Sequence, residues 1–209
     1  MEVEHQSKQK LLNAAIDVIR AKGYSATRVD DVCEVAGLTK GSFFHHFKGK
    51  EDLALSAAGY WSERAASLFA EASYRSLPTP LERLLGYLDF RKAILLGEVK
   101  EFTCLVGTMV QEVYDTHPNL RAACEKSIWE HAGTLEADIE AAMREVEAAN
   151  GHKMNFTAAG LALHSQAVLQ GAFILAKAHG GPTVAAESID HLRRYFEMLF
   201  LSREAKKSS

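Results

Sequence analysis

The segment TRVDDVCEVAGLTKGSFFHHFKGKED, residues 27–52, contains two helix starts in close succession, at Thr27 and at Thr39. Thr27-Arg28-Val29-Asp30 has the Thr-x-x-acid spacing that closes reciprocal hydrogen bonds at a helix N-terminus, which predicts a short helix over residues 28–35. Gly37 stops it. Thr39 then caps a second helix, whose Phe43 and Phe47 fall four apart and so share a face. Two short helices joined by a tight glycine-containing turn form the helix-turn-helix pattern, in which the second helix enters the major groove of duplex DNA.

The packing pattern agrees at independent positions. Val32, Ala36, Leu38 and Phe43 face inward, Cys33 is small where the two helices must approach, and Gly37 supplies the backbone freedom of the turn. From Ala36 to Lys50 there is no acidic residue, whereas Lys40, His45, His46, Lys48 and Lys50 all lie there, a balance suited to phosphate. Spacing alone also fits an ordinary helical hairpin with a solvated basic face.

The run AGLTKGSFFHHFKGKEDL, residues 36–53, resembles the DNA-binding signature of TetR-type (TetR/AcrR) bacterial transcriptional regulators. It joins the turn glycine, the Lys40-Gly41 pair, the Phe43-Phe44 cluster and a following Lys-acid-acid-Leu. The resemblance begins near Ser7 and is dense to Leu53; beyond that it rests on length and helix order. Where the family usually has tyrosine this chain has Phe44, which lacks the hydroxyl that the family points at a phosphate. The resemblance implies ligand-controlled repression: a small molecule in a larger C-terminal domain shifts the fourth helix and separates two DNA readers.

At 209 residues and 47% hydrophobic content the chain suffices for a small helical module and a larger packed domain. A net charge of −3 excludes a uniformly basic coat, so any DNA contact must come from a local patch. Residues 1–52 carry eight Lys+Arg and eight Asp+Glu, with Asp30, Asp31 and Glu34 set against the basic run. Cys33, Cys104 and Cys124 are odd in number and lack Cys-x-x-Cys spacing, which points to reduced thiols in a cytoplasm. The N-terminus MEVEHQSKQK has no apolar core and does not read as a signal peptide. No membrane span is expected, because polar residues interrupt the most apolar segment, 156–178.

Helical periodicity continues along the chain. Leu11, Leu12, Ala15, Ile16 and Ile19 predict an amphipathic helix over 7–22, closed by Gly23. Gly49 stands at a cap, and Glu51 and Asp52 favour the start of a long helix over 50–73 that carries Leu55, Trp61, Leu68 and Phe69 inward and links the two parts of the molecule. The Leu77-Pro78-Thr79-Pro80 break leads to a helix over 81–96, then a shorter one over 102–114. His117-Pro118 begins a long helix over 119–149, ended by Asn150-Gly151. The segment 157–179 is apolar on more than one side, which calls for a second copy of the chain; with 184–201 it would form a two-fold four-helix bundle. The tail, 203–209, is polar and expected to fray.

The expected architecture is therefore all-α, about nine helices: a three-helix DNA-binding module over 1–52, then a roughly six-helix ligand-binding and dimerisation domain over 53–209. Thr39, Lys40 and Ser42 are assigned to bases and phosphates, with Gly41 allowing close approach. His45 and His46 follow, as groove contacts or as structural residues. Thr27, Lys48 and Lys50 are assigned to phosphates, and Phe44 to a sugar or a thymine methyl. A symmetric dimer would present two such helices to successive major grooves of a palindromic operator.

Aromatic or polar residues on otherwise apolar helices, Tyr87, Phe90, Cys104, Gln111, Trp129, Gln170 and Phe173, are candidates for an unknown small-molecule effector, with core packing as the alternative for each. Cys104 reads as a small buried hydrophobe or as an oxidant-sensing thiol activated by Lys100 one turn earlier. Among the nine histidines no His-x3-His or Glu-x-x-His pair completes a site, so no metal is expected; no cofactor is expected either, nor a Gly-x-Ser-x-Gly or phosphate-binding loop. An all-helical enzyme and a protein-binding helical adaptor are the competing classes.

Overall fold

A computed structural model describes residues 2–201, with side chains from residue 6 onward; the tail expectation lies outside the described residues. These residues form eleven α-helices and one 3₁₀ turn: α1 Glu2–Lys22, α2 Val29–Ala36, α3 Lys40–His46, α4 Lys50–Ala70, the 3₁₀ turn Ser73–Ser76, α5 Pro80–Ala93, α6 Val99–Phe102, α7 Leu105–Val113, α8 Pro118–Gly133, α9 Glu136–Asn150, α10 Ala158–His179 and α11 Thr183–Phe200. The fold is all-α, as expected. By packing, the chain divides into one unit of residues 1–67 and 98–128 and a second of 68–97 and 129–209.

The first unit has a continuous apolar core. Leu11, Ala15 and Ile19 of α1, one turn apart, are fully buried with Val32, Phe43, Leu53 and Ala57. Leu105, Met109, Val113, Leu120 and Cys124 complete it, so α7 and the start of α8 share a core with the helix-turn-helix. The expected break after residue 52 is therefore not a packing boundary. Long-range polar contacts explain why. Buried Arg20 donates from Nε to the Thr103 carbonyl at 2.7 Å and lies 4.9 Å from the Trp61 ring centroid. The Glu112 carboxylate accepts from the backbone N–H groups of Tyr24 (3.1 Å) and Ser25 (2.8 Å), just after Gly23 turns the chain at φ +86°.

In the second unit α5, α9, α10 and α11 bury Leu84, Tyr87, Leu88, Ile139, Leu169, Ala172, Ile189 and Phe196. Thr79 and Glu82 close a capping box on α5, the Thr79 hydroxyl accepting from Glu82 N–H at 3.2 Å and Glu82 accepting from Thr79 N–H at 3.0 Å. Arg83 pairs with Asp138 (2.6 Å), Lys92 with Asp190 (2.7 Å) and Arg193 with Asp89 (3.0 Å). Among the described residues α10 is long and apolar enough to cross a membrane. It nevertheless buries Leu161, Ala162, Leu169, Ala172 and Phe173 within this unit, as a core helix does.

Three expected elements differ. The long helix over 119–149 is two, because the Thr134 hydroxyl donates to the His131 carbonyl at 2.7 Å and Leu135 N–H bonds three residues back to Ala132, tightening the chain into a turn after Gly133. The helix over 102–114 is preceded by the separate α6, with Cys104 as the cap between them. The fourth helix ends at Ala70, and Leu68, expected inward, is 48% exposed.

Candidate nucleic-acid interface

The start of α2 is shifted by one residue from the expected register. Arg28, not Thr27, is the capping position, and its backbone N–H donates to Asp31 Oδ2 at 2.7 Å. The Asp31 carboxyl is held below its usual range by its hydrogen bond to Lys22 and by that N–H. At the other end Gly37, at φ +64°, lets its own N–H reach the Glu34 carbonyl and Leu38 N–H reach Cys33 O at 2.9 Å. Thr39 caps α3 as expected, its hydroxyl accepting from Ser42 N–H at 3.2 Å.

Two rings fix the orientation of α3. Phe43 and Phe47 are buried, with centroids 5.7 Å apart, against the first unit's core. Positions 40, 41, 44, 45 and 48 consequently turn outward, and Lys40, Gly41, Phe44, His45 and Lys48 are all exposed. Phe44, at 58% exposure, is a large apolar ring left in water. Lys40 Nζ sits 2.8 Å from Asp30 Oδ1, a pairing that raises the lysine pKa in an open, solvent-screened setting. Ser42 and His46 are half-buried, and His46 Nε2 lies 2.6 Å from the Ser7 hydroxyl. The adjacent rings of His45 and His46 meet edge to face at 4.9 Å.

Two residues assigned to phosphate are otherwise occupied. Thr27 is 2% exposed and its hydroxyl donates to the Gly23 carbonyl at 2.6 Å, which locks the 23–27 loop. Lys50 Nζ donates to the carbonyls of Tyr24 (3.1 Å) and Ser25 (3.3 Å) and lies 4.4 Å from the Tyr24 ring centroid, so the structure makes it a brace for the same loop. Exposed Arg28, at the α2 cap, was absent from the sequence candidates, although it stands just before the first helix of the pair.

A family model described as "Bacterial regulatory proteins, tetR family" matches residues 11–57, which encompass α2, the turn and α3. A TetR transcriptional regulator from Chloroflexus aurantiacus shares the fold at a TM-score of 0.77 and 25% identity, covering 93% of this chain and 96% of that one. The chain belongs to the TetR/AcrR family of transcriptional regulators.

The match ties the helix-turn-helix to bacterial regulatory proteins of this family. Among the described residues no group of three or more His, Cys, Asp or Glu is placed to hold a metal ion. A TetR-family structure from Agrobacterium tumefaciens has the same fold, with a TM-score of 0.77 at 21% identity over 92% of this chain and 98% of that one. In sequence, the transcriptional regulator AcuR of Cereibacter sphaeroides is 30% identical over 115 residues, 55% of this chain. The matched stretch spans 52% of AcuR, about half its length.

The effector candidates of this TetR/AcrR protein are not one cluster. Cys104 and Gln111 belong to the first unit, the other five to the second. Gln111 donates to the Gly107 carbonyl of its own helix at 2.7 Å. Cys104 Sγ accepts from Gly107 N–H at 3.4 Å as the cap of α7, and Lys100, on α6, is paired with Glu98 at 2.8 Å. In the second unit Phe173 is buried, Gln170 is half-buried, and Trp129 is 53% exposed.

Tyr87 and Phe90 do share a cluster. Both rings lie within 6 Å of the centroids of Phe69 and Tyr74. The Tyr87 hydroxyl accepts from Arg91 Nε at 3.0 Å and Gln166 Nε2 at 3.3 Å, and reaches His131 Nε2 at 3.1 Å. Burial, and then the Arg91 and Arg75 charges, push His131 down to about 3, so the ring is neutral at pH 7. Arg91, His131 and Gln166 were absent from the sequence candidates, although Arg91 stands one helical turn after Tyr87.

Proposed function

We propose that this TetR/AcrR regulator is a homodimeric, cytoplasmic repressor that binds a palindromic operator through α3 and is released by a small molecule bound in the helices after residue 52. The observation that carries the DNA reading is the division of labour within α3: Phe43 and Phe47 hold it, leaving Lys40, Gly41, Phe44, His45 and Lys48 with no core to support. Thr39, Lys40 and Ser42 meet bases and phosphates, and Gly41 admits the backbone. Lys48 and Arg28 hold phosphates, His45 and His46 line the groove, and Phe44 packs on a sugar or thymine methyl.

Dimerisation is supported by the apolar residues that α10 and α11 leave uncovered, Ile174, Leu175, Tyr195, Met198 and Leu201, each at least 40% exposed. Effector control is supported by the buried polar group around Tyr87, a recognition element within an otherwise apolar core. Helix α4 runs from beside the reader into the second unit's share of the chain, and ligand-dependent coupling of about 1–3 kcal/mol is the usual scale for such control. No membrane contact is part of the reading.

The test is selection of bound fragments from random duplex DNA, run in parallel on wild type, Lys40→Ala and Lys48→Ala. Wild type is expected to enrich a palindrome, both variants to lose it, and affinity to fall steeply with salt. A protein that stays monomeric and enriches no sequence at low ionic strength refutes the reading.

A further inference from the structure

The polar atoms around Tyr87 can be assigned by chemistry alone. A guanidinium only donates, so Arg91 Nη2, 3.1 Å from His131 Nε2, requires that nitrogen to be the unprotonated acceptor and puts the ring proton on Nδ1. Tyr87 already accepts from Arg91 Nε and Gln166 Nε2, so its own proton also turns to His131 Nε2, whose single lone pair the two donors share. The acceptors in the group are thus all neutral. Its formal charge is positive. Arg91 lies 4.7 Å from the Phe69 ring centroid and 5.5 Å from that of Tyr87. Arg75 lies 5.4 Å from the Tyr74 centroid and donates to the Phe69 carbonyl at 3.3 Å.

Two guanidinium groups therefore share one aromatic cluster, and among the described residues neither forms an ion pair with a carboxylate. Three acids of the same unit are engaged elsewhere, Asp138 by Arg83, Asp89 by Arg193 and Asp190 by Lys92. Arg91 commits Nε and Nη2 and leaves Nη1 with no protein acceptor among the described residues. That nitrogen is not among the buried unpaired atoms, and Arg91 is only half-buried, so this edge of the cluster is open to approach. A half-buried guanidinium held among rings without a counter-ion offers its free edge to an anion.

We propose that the Tyr87–Arg91–His131 cluster binds a small carboxylic acid with a flat apolar body, the carboxylate pairing with the Nη1 edge of Arg91 and the body covering the half-buried ring of Phe90. The inference rests on the reading of this chain as an effector-controlled regulator and names the effector's chemical class. A neutral His131 suits it, because the imidazole holds the Arg91 fork in place as an acceptor.

Titration calorimetry of the full-length protein with sodium benzoate, and with benzamide as the neutral analogue of the same shape, tests the proposal. Benzoate is expected to bind at least about tenfold more tightly than benzamide, the lower end of what a hydrogen bond to a charged group contributes. Arg91→Gln should erase the difference. Arg91→Lys, which keeps the charge but not the fork, should retain part of it. Equal binding of the two probes to wild type, no heat from either, or undiminished benzoate preference in folded Arg91→Gln each overturns the proposal. The wild-type comparison stands even if a variant does not fold. Benzoate that binds without changing retention of duplex DNA supports the site and defeats the effector reading, so the two fail separately.

Discussion

Lowering the pH should destabilise this protein through His131 more than through any exposed histidine. The folded-state pKa is pushed down to about 3, against 6.5 for the free side chain. Below about pH 6.5 the unfolded chain takes up a proton that the folded chain refuses until near pH 3. The stability conferred by keeping the ring neutral is therefore fully present above the unfolded pKa and lost as the pH falls through that window. At pH 5 the loss relative to pH 7 amounts to about 2 kcal/mol, one and a half pKa units at about 1.4 kcal/mol each. For a chain of this size that corresponds to roughly 4–8 °C in the thermal midpoint. The control is His131→Gln, whose side-chain oxygen can accept from Tyr87 and Arg91 but does not titrate. Melting wild type and variant at pH 7 and pH 5 cancels contributions from other groups, and wild type should lose that much more than the variant. Equal losses in the two proteins would refute the assignment of a buried, neutral His131.

Three further outcomes follow from the reader and the proposed dimer. Thr27→Val removes the hydroxyl bond to Gly23 and should lower stability by about 1 kcal/mol while leaving DNA affinity at fixed salt unchanged; a loss of affinity matching that of Lys48→Ala in folded protein would restore Thr27 as a phosphate contact. Thr39→Ala removes the α3 cap and is expected to cost about 1 kcal/mol in chemical denaturation, with weaker duplex binding measured by fluorescence anisotropy. Leu175→Glu places a charge on the uncovered face of α10 and should give a monomer in sedimentation, with at least about tenfold weaker operator binding; an unchanged dimer moves the interface elsewhere.

What the sequence revealed of the fold was local. Gly37, Thr39 and the Phe43/Phe47 spacing act over four residues or fewer, and each does in the structure what its chemistry predicts. The helix register at Thr27 failed because Asp30 and Asp31 both offer an acid near the start of α2, and the choice fell to Asp31, which also pairs with Lys22 nine residues away. The contacts of Lys50 were illegible for a related reason. Charge alone marks it as a phosphate ligand, while the carbonyls that hold it belong to residues 24 and 25. The exposed face of α3 was legible, whereas the cluster around Tyr87 was not, because its members are separated by 44 and 79 residues. Only Arg91, on the same helix, could have been found by periodicity.

The distribution of charge between the two candidate sites bears on how one chain can serve both. In α3 the reading face is cationic and exposed, so its attraction for DNA is screened by salt and tempered by Asp30, which pairs with Lys40 in the absence of a phosphate. On the proposed reading a phosphate displaces that carboxylate, which adds little to affinity but leaves Lys40 held on the exposed face of α3 before DNA arrives. Around Tyr87 the cation is partly withdrawn from water and sits on aromatic faces, where an incoming charge is screened less. The operator contacts should therefore weaken steeply with ionic strength while occupation of the Arg91 edge changes little. Measuring both on one preparation between low and physiological salt separates a surface that works by screened attraction from one that works by a partly desolvated pair, and parallel salt slopes would contradict that division.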